Sequence, residues 1–317
     1  MPDLGPAVAT VVNQCLAVKP DEDVLVVADP GTRTIGEALR DGARDAGADA
    51  VLAIMDERAV DGTEPPKTVA GALAACDVFI GPTTRSISHT VARKRASEAG
   101  ARGATMPGVT EDMLARMMAG DFDVMAARSQ QVAALLTEAT EAHVTCPRGT
   151  DFKLDLNGRQ GISDDGILTE PGVFGNLPCG EGFIAPLGGE GRIVVAGTLA
   201  SAGIGDEPAA LSVSGGQLTA AEGGLGPRFI ELLRAHREKG TNLAELGVGT
   251  NERAQLTGQV LEAEKILGTV HVAFGASAGI GGTVTVPIHL DAVVLDATLD
   301  VGGRRVLEAG RYVLDVS

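Results

Sequence analysis

Tryptophan is absent from this chain of 317 residues, and tyrosine occurs once, at Tyr312. Aromatic residues amount to 3% in all, too few for an aromatic cage or a base-stacking platform. Basic residues are also scarce. Lys and Arg number 26 against 42 Asp and Glu, and the formal net charge is −16. No excess of positive charge is available to displace counterions from nucleic acid or to dock on an anionic membrane, so neither partner is expected. No run approaches the roughly 18 uncharged apolar residues of a spanning helix, and the opening MPDLGPAVATVV has neither a basic region nor a long apolar one, so no secretory leader is expected. Cys15, Cys76, Cys146 and Cys179 form no CxxC pair and read as reduced thiols of a cytoplasmic protein.

What is present is an ordinary globular composition, 44% hydrophobic and 21% charged, with 43 glycines and 15 prolines that imply many turns. From residue 21 to about 125, short apolar runs alternate with segments of helical period. Strands are expected at Asp23–Pro30, Asp49–Met55, Asp77–Thr83 and Gly103–Gly108, with helices at Ile35–Gly47, Val69–Ala75, His89–Ala99 and Thr110–Gly120. That alternation predicts a Rossmann-like α/β domain with a parallel, doubly wound sheet over residues 1–140. Its first turn, DPGTRTIGEA from Asp29, is neither GxGxxG nor a P-loop and carries no phosphate-binding signature.

A helix over 124–142 leads into a different pattern. Short strands separated by glycine-rich turns predict a β-rich α+β domain over residues 141–317. One strand is expected to run unbroken over Thr283–Asp296, and helices at 226–240 and 254–265. In this half His289 and Asp291 are two residues apart, a spacing that puts both side chains on one face of a strand. An imidazole and a carboxylate so placed can ligate one divalent cation, although such a pair also occurs as a plain hydrogen-bonded unit. His271 lies mid-strand in GTVHVAFG, and Glu181, Glu245 and Glu264 fall in glycine-bounded segments nearby. Together they form the inventory of a two-metal site.

The segments NLPCGEGFIAP, NLAELGVGTN, EKILGTVHVAFG and IHLD, in that order, resemble the thermophilic-type metallo-aminopeptidases of the aminopeptidase T and S family. The resemblance covers most of the chain and is strongest from about 145 to 300. It implies a peptide- or amide-hydrolysing homodimer in which Glu181, Glu245, Glu264, His271, His289 and Asp291 hold two divalent ions and Glu245 bridges them. Glu181 or Glu245 would be the general base for a metal-activated water. The position seven residues after His271, a tyrosine in that family, is Ala278 here. The dihydroxypyridine ring-cleaving dioxygenases, which use one Fe(II), share this fold and the HxD pair. They place a histidine where this chain has Glu245 and lack counterparts of Glu181 and His271. Retention of those residues makes the hydrolase the expected function and the dioxygenase its alternative.

Overall fold

The computed structural model describes residues 2–315. The chain forms two compact units, Met1–Phe122 with Gly166–Cys179, and Asp123–Asp165 with Gly180–Ser317. The division falls after Phe122 instead of near residue 140. The reason is the helix Phe122–Glu138, which buries Val132 and Leu136 in the apolar core of the second unit.

In the first unit five parallel strands lie in the order 49–54, 23–28, 78–81, 102–105, 174–176. Four of them are the expected apolar runs. The fifth, Phe174–Asn176, arrives from the middle of the chain and has no counterpart in the sequence reading. Phe79 and Phe174 stack at 6.2 Å within the core cluster of this sheet. Helices Arg33–Asp45, Lys67–Leu73, Val91–Glu98 and Glu111–Met117 follow the first four strands.

The second unit has an eight-stranded and a seven-stranded antiparallel sheet. In the latter the order is 203–204, 198–199, 289–294, 270–275, 243–249, 181–184, 162–164. One face supplies Ile184, Leu246, Val248, Val270, Val272, Phe274, Leu290 and Val294 to a core shared with Phe152, Leu154 and Ile193 of the other sheet. Strict alternation then sends the intervening residues to the opposite face. These include Glu181, Glu245, His271, His289 and Asp291.

Two expected elements are shorter than the sequence suggests. The strand at 283–296 forms only over His289–Val294. A 3-10 turn, Ala278–Ile280, and the left-handed Gly281 precede it, and Pro287 lacks the N–H that a ladder requires. The helix at 254–265 shrinks to Val260–Ala263. Glu262 explains this locally. Its carboxylate accepts hydrogen bonds from Gln255 N at 2.7 Å and Thr257 Oγ1 at 2.9 Å, holding those residues in a turn.

Candidate metal centre

Strand register builds the site. Glu245, Ala273 and Asp291 lie side by side across three strands, and in the adjacent row Gly247 faces His271. On the next strand Glu181 pairs with Gly249 and, on its other side, with Asp164. Small residues separate the ligating ones, and at Gly247 the reason is direct. A Cβ there would come within 2.0 Å of His271 Nε2. The imidazole lies flat over a position that only glycine leaves open. Replacing Gly247 by alanine is expected to push the His271 ring aside and weaken metal binding by about 10-fold or more, read by calorimetric titration with a divalent ion.

His271 and His289 are tied together through one carboxylate. His271 Nε2 is 3.2 Å from Glu245 Oε1, and His289 Nε2 is 3.2 Å from Glu245 Oε2. His271 Nε2 also stands 3.2 Å from Glu181 Oε2, and His289 Nε2 3.7 Å from Asp291 Oδ1. Two overlapping groups result, Glu181–Glu245–His271 and Glu245–His289–Asp291, each with ligand atoms within 4.8 Å of one another. Glu181, Glu245, His271 and Asp291 are buried.

Glu264 joins neither group. Its carboxylate accepts a 2.7 Å hydrogen bond from Lys265 Nζ. Lys265 is itself 1% exposed and reaches Glu181 Oε1 at 3.1 Å and Asp164 Oδ2 at 3.6 Å. Nothing in the sequence reading singles out Lys265 or Asp164. The one available signal is a lysine wedged between an acid and the apolar Ile266–Leu267, and that also describes an ordinary helix end.

The donor set fits a divalent cation. Glu181 Oε2 is buried with no hydrogen bond of its own. His289 donates from Nδ1 to the Ala276 carbonyl at 2.7 Å, which fixes the ring and aims Nε2 at the carboxylates, as an outer hydrogen bond does for a metal-bound imidazole. Without an ion, protons serve as the cations. Burial opposes a charged His271, but the carboxylates of Glu245 and Glu181 outweigh it and lift the pKa to about 9. Burial likewise disfavours charge on His289, yet Asp291 and Glu245 hold its pKa well above the ordinary value. Glu245 is opposed by burial, and hydrogen bonds from the two imidazoles drive its pKa far down. Burial pushes Glu264 up to about 8 and Asp164 to about 7, against the pull of Lys265.

These shifts fix a pH dependence for the metal-free protein. His271 titrates at about 9 in the fold against 6.5 unfolded, so its stabilising contribution is complete below pH 6.5 and lost as pH rises through 9. Glu264 and Asp164, raised from 4.5 and 3.8, also lose their contributions as pH rises through about 8 and 7. All three act in one direction. The melting temperature of the metal-free protein is expected to fall steadily from pH 6 to pH 9, whereas the metal-loaded protein, with His289 already deprotonated, loses less.

Whole-chain comparisons bear on the two enzyme classes that share this fold. The structure is similar to that of 2,5-dihydroxypyridine dioxygenase from Pseudomonas putida KT2440, with a TM-score of 0.83, 20% identity and coverage of 98% of this chain and 97% of that one. It also matches AmpT from Thermus thermophilus, with a TM-score of 0.71, 18% identity and coverage of 98% and 99%. Among curated proteins no sequence matches significantly. A family model described as NicX, 2,5-dihydroxypyridine 5,6-dioxygenase, matches residues 4–314. The expectation of an aminopeptidase-like hydrolase acting on peptides or amides is overturned by that match. It arises because retention of Glu181, Glu245 and His271 is taken as the mark of the hydrolase, whereas the HxD strand is common ground between the two classes. Matched over nearly its full length by the family model, the chain belongs to the 2,5-dihydroxypyridine 5,6-dioxygenase family.

Proposed function

We propose that the chain opens the ring of a 2,5-dihydroxypyridine-type substrate with O2, using one Fe(II) ion held by Glu245, His289 and Asp291. The observation that carries this reading is the family match over residues 4–314, and the buried carboxylate–imidazole group supports it by offering the ion a place. An Fe(II) ion there would supply open coordination positions and a path by which electrons pass from the hydroxylated ring to O2.

The chain's own residues do the rest. His289 would hold the ion through its deprotonated Nε2 while its Nδ1–H stays on the Ala276 carbonyl and fixes the ring. Glu245, released from that imidazolium, would be a second ligand. Asp291 adds a second negative oxygen, offsetting the ion's charge in a region from which water is largely excluded. Phe183 is on the same strand face as Glu181 and pairs in register with Gly247, opposite the His271 side.

Compared with the pattern of the ring-cleaving dioxygenases, the ligand set has a carboxylate, Glu245, where they have an imidazole. It therefore places more negative charge on the ion. Mass spectrometry of the product formed from labelled O2 tests the reading. Both labelled atoms are expected in an opened-ring acid. Unchanged substrate with Fe(II) bound would refute the proposed reaction.

A further inference from the structure

Lys265 is a buried charge that none of the steps above uses. Its ammonium is 1% exposed and lies among three carboxylates: Glu264 at 2.7 Å, Glu181 at 3.1 Å and Asp164 at 3.6 Å. We propose that Lys265 is a permanent internal cation that takes the place of a second metal ion and limits this centre to one. The inference rests on the metal-binding reading of the site and goes beyond it.

Two observations point the same way. The first concerns charge. Of the two overlapping ligand groups, Glu181–Glu245–His271 depends on a carboxylate whose Oε1 already holds the lysine ammonium. A dication bound to the other oxygen of Glu181 would sit beside a fixed positive charge, with no bulk water to screen the repulsion. The group Glu245–His289–Asp291 includes none of the three acids that Lys265 engages.

The second observation concerns the imidazoles. His289 is anchored through Nδ1 on the Ala276 carbonyl, as a ligating histidine usually is. His271 Nδ1 is buried with no hydrogen-bond partner. Its ring therefore lacks the outer support that orients a ligand. The anchored histidine belongs to the group that is free of the lysine, and the unanchored one to the group beside it. In this arrangement Glu181 couples the two halves of the site: one oxygen is held by Lys265, and the other faces His271.

The test counts metal. The purified full chain is stripped, loaded anaerobically with excess Mn(II), desalted and assayed by elemental analysis, with the binding isotherm measured in parallel. One equivalent is expected for the wild type. Lys265→Met removes the ammonium and leaves Asp164, Glu181 and Glu264 unneutralised, so two equivalents are expected. Lys265→Arg keeps a cation and is expected to stay at one. Two tight equivalents in the wild type would overturn the lysine's role while leaving the metal-binding reading intact. No bound metal in the wild type would remove that reading and the proposal together. A folded Lys265→Met protein that still binds one equivalent would also overturn it. Should that variant be insoluble without metal, it is refolded in Mn(II), and soluble protein with a single equivalent counts against the proposal in the same way.

Discussion

Substitution of Glu245 by glutamine is expected to lower metal affinity by at least about 100-fold and to abolish ring opening at ordinary Fe(II) concentrations. The reason is the position of this one carboxylate. Each of its oxygens faces an imidazole Nε2 at 3.2 Å, it belongs to both ligand groups, and it is buried. An amide matches its shape but contributes no charge, and it points an N–H at one of the two rings. The substitution also has a cost in the metal-free state. Two imidazoles whose protons are held by Glu245 lose that partner, and breaking a buried ion pair from one side costs about 3–5 kcal/mol. The His271 pKa, held at about 9, is expected to fall. Calorimetric titration with Fe(II) under anaerobic conditions measures the first effect. Thermal melts of metal-free wild type and variant measure the second. A Glu245→Gln protein with wild-type metal affinity would exclude this residue as a ligand.

Removal of the ion from the intact protein is the second large effect. Chelation is expected to eliminate ring opening completely, and Fe(II) to restore it. Because the ion binds the folded state, a concentration 100 times its dissociation constant stabilises the fold by about 2.7 kcal/mol. That raises the melting temperature by about 4 °C. The size of the shift should grow from pH 6 to pH 9. Metal and protons compete for His289, which holds its proton tightly in the metal-free protein. Activity that survives exhaustive chelation would rule out a metal-dependent reaction.

Much of the site is legible in the sequence because β-structure converts spacing into direction. His289 and Asp291 are two residues apart and share a strand face, and Gly247, two residues after Glu245, marks the position where a side chain would collide with the His271 imidazole. The parallel sheet of the first unit is legible for the related reason that apolar runs alternate with helical ones. Three features are not. Lys265 reads as a solvated charge. Its burial follows from strands 162–164 and 181–184 bringing Asp164 and Glu181 together, a pairing that no local pattern announces. The strand Phe174–Asn176 is three residues long and joins a sheet whose other members end some 70 residues earlier, at Thr105. The chemistry is misread for a physical reason as well. A set of oxygen and imidazole donors specifies that a cation binds, and it does not specify whether the cation activates water or O2. The family match along the whole chain supplies what the ligand inventory lacks.

Oxygen uptake by the Fe(II)-loaded protein supplied with 2,5-dihydroxypyridine is the most direct measurement. One O2 consumed for each ring lost from the absorbance spectrum, with no uptake in the metal-free protein, is the predicted result. Release of free amine from aminoacyl amides by the same preparation, with the dihydroxypyridine and O2 both untouched, is the result that would contradict it.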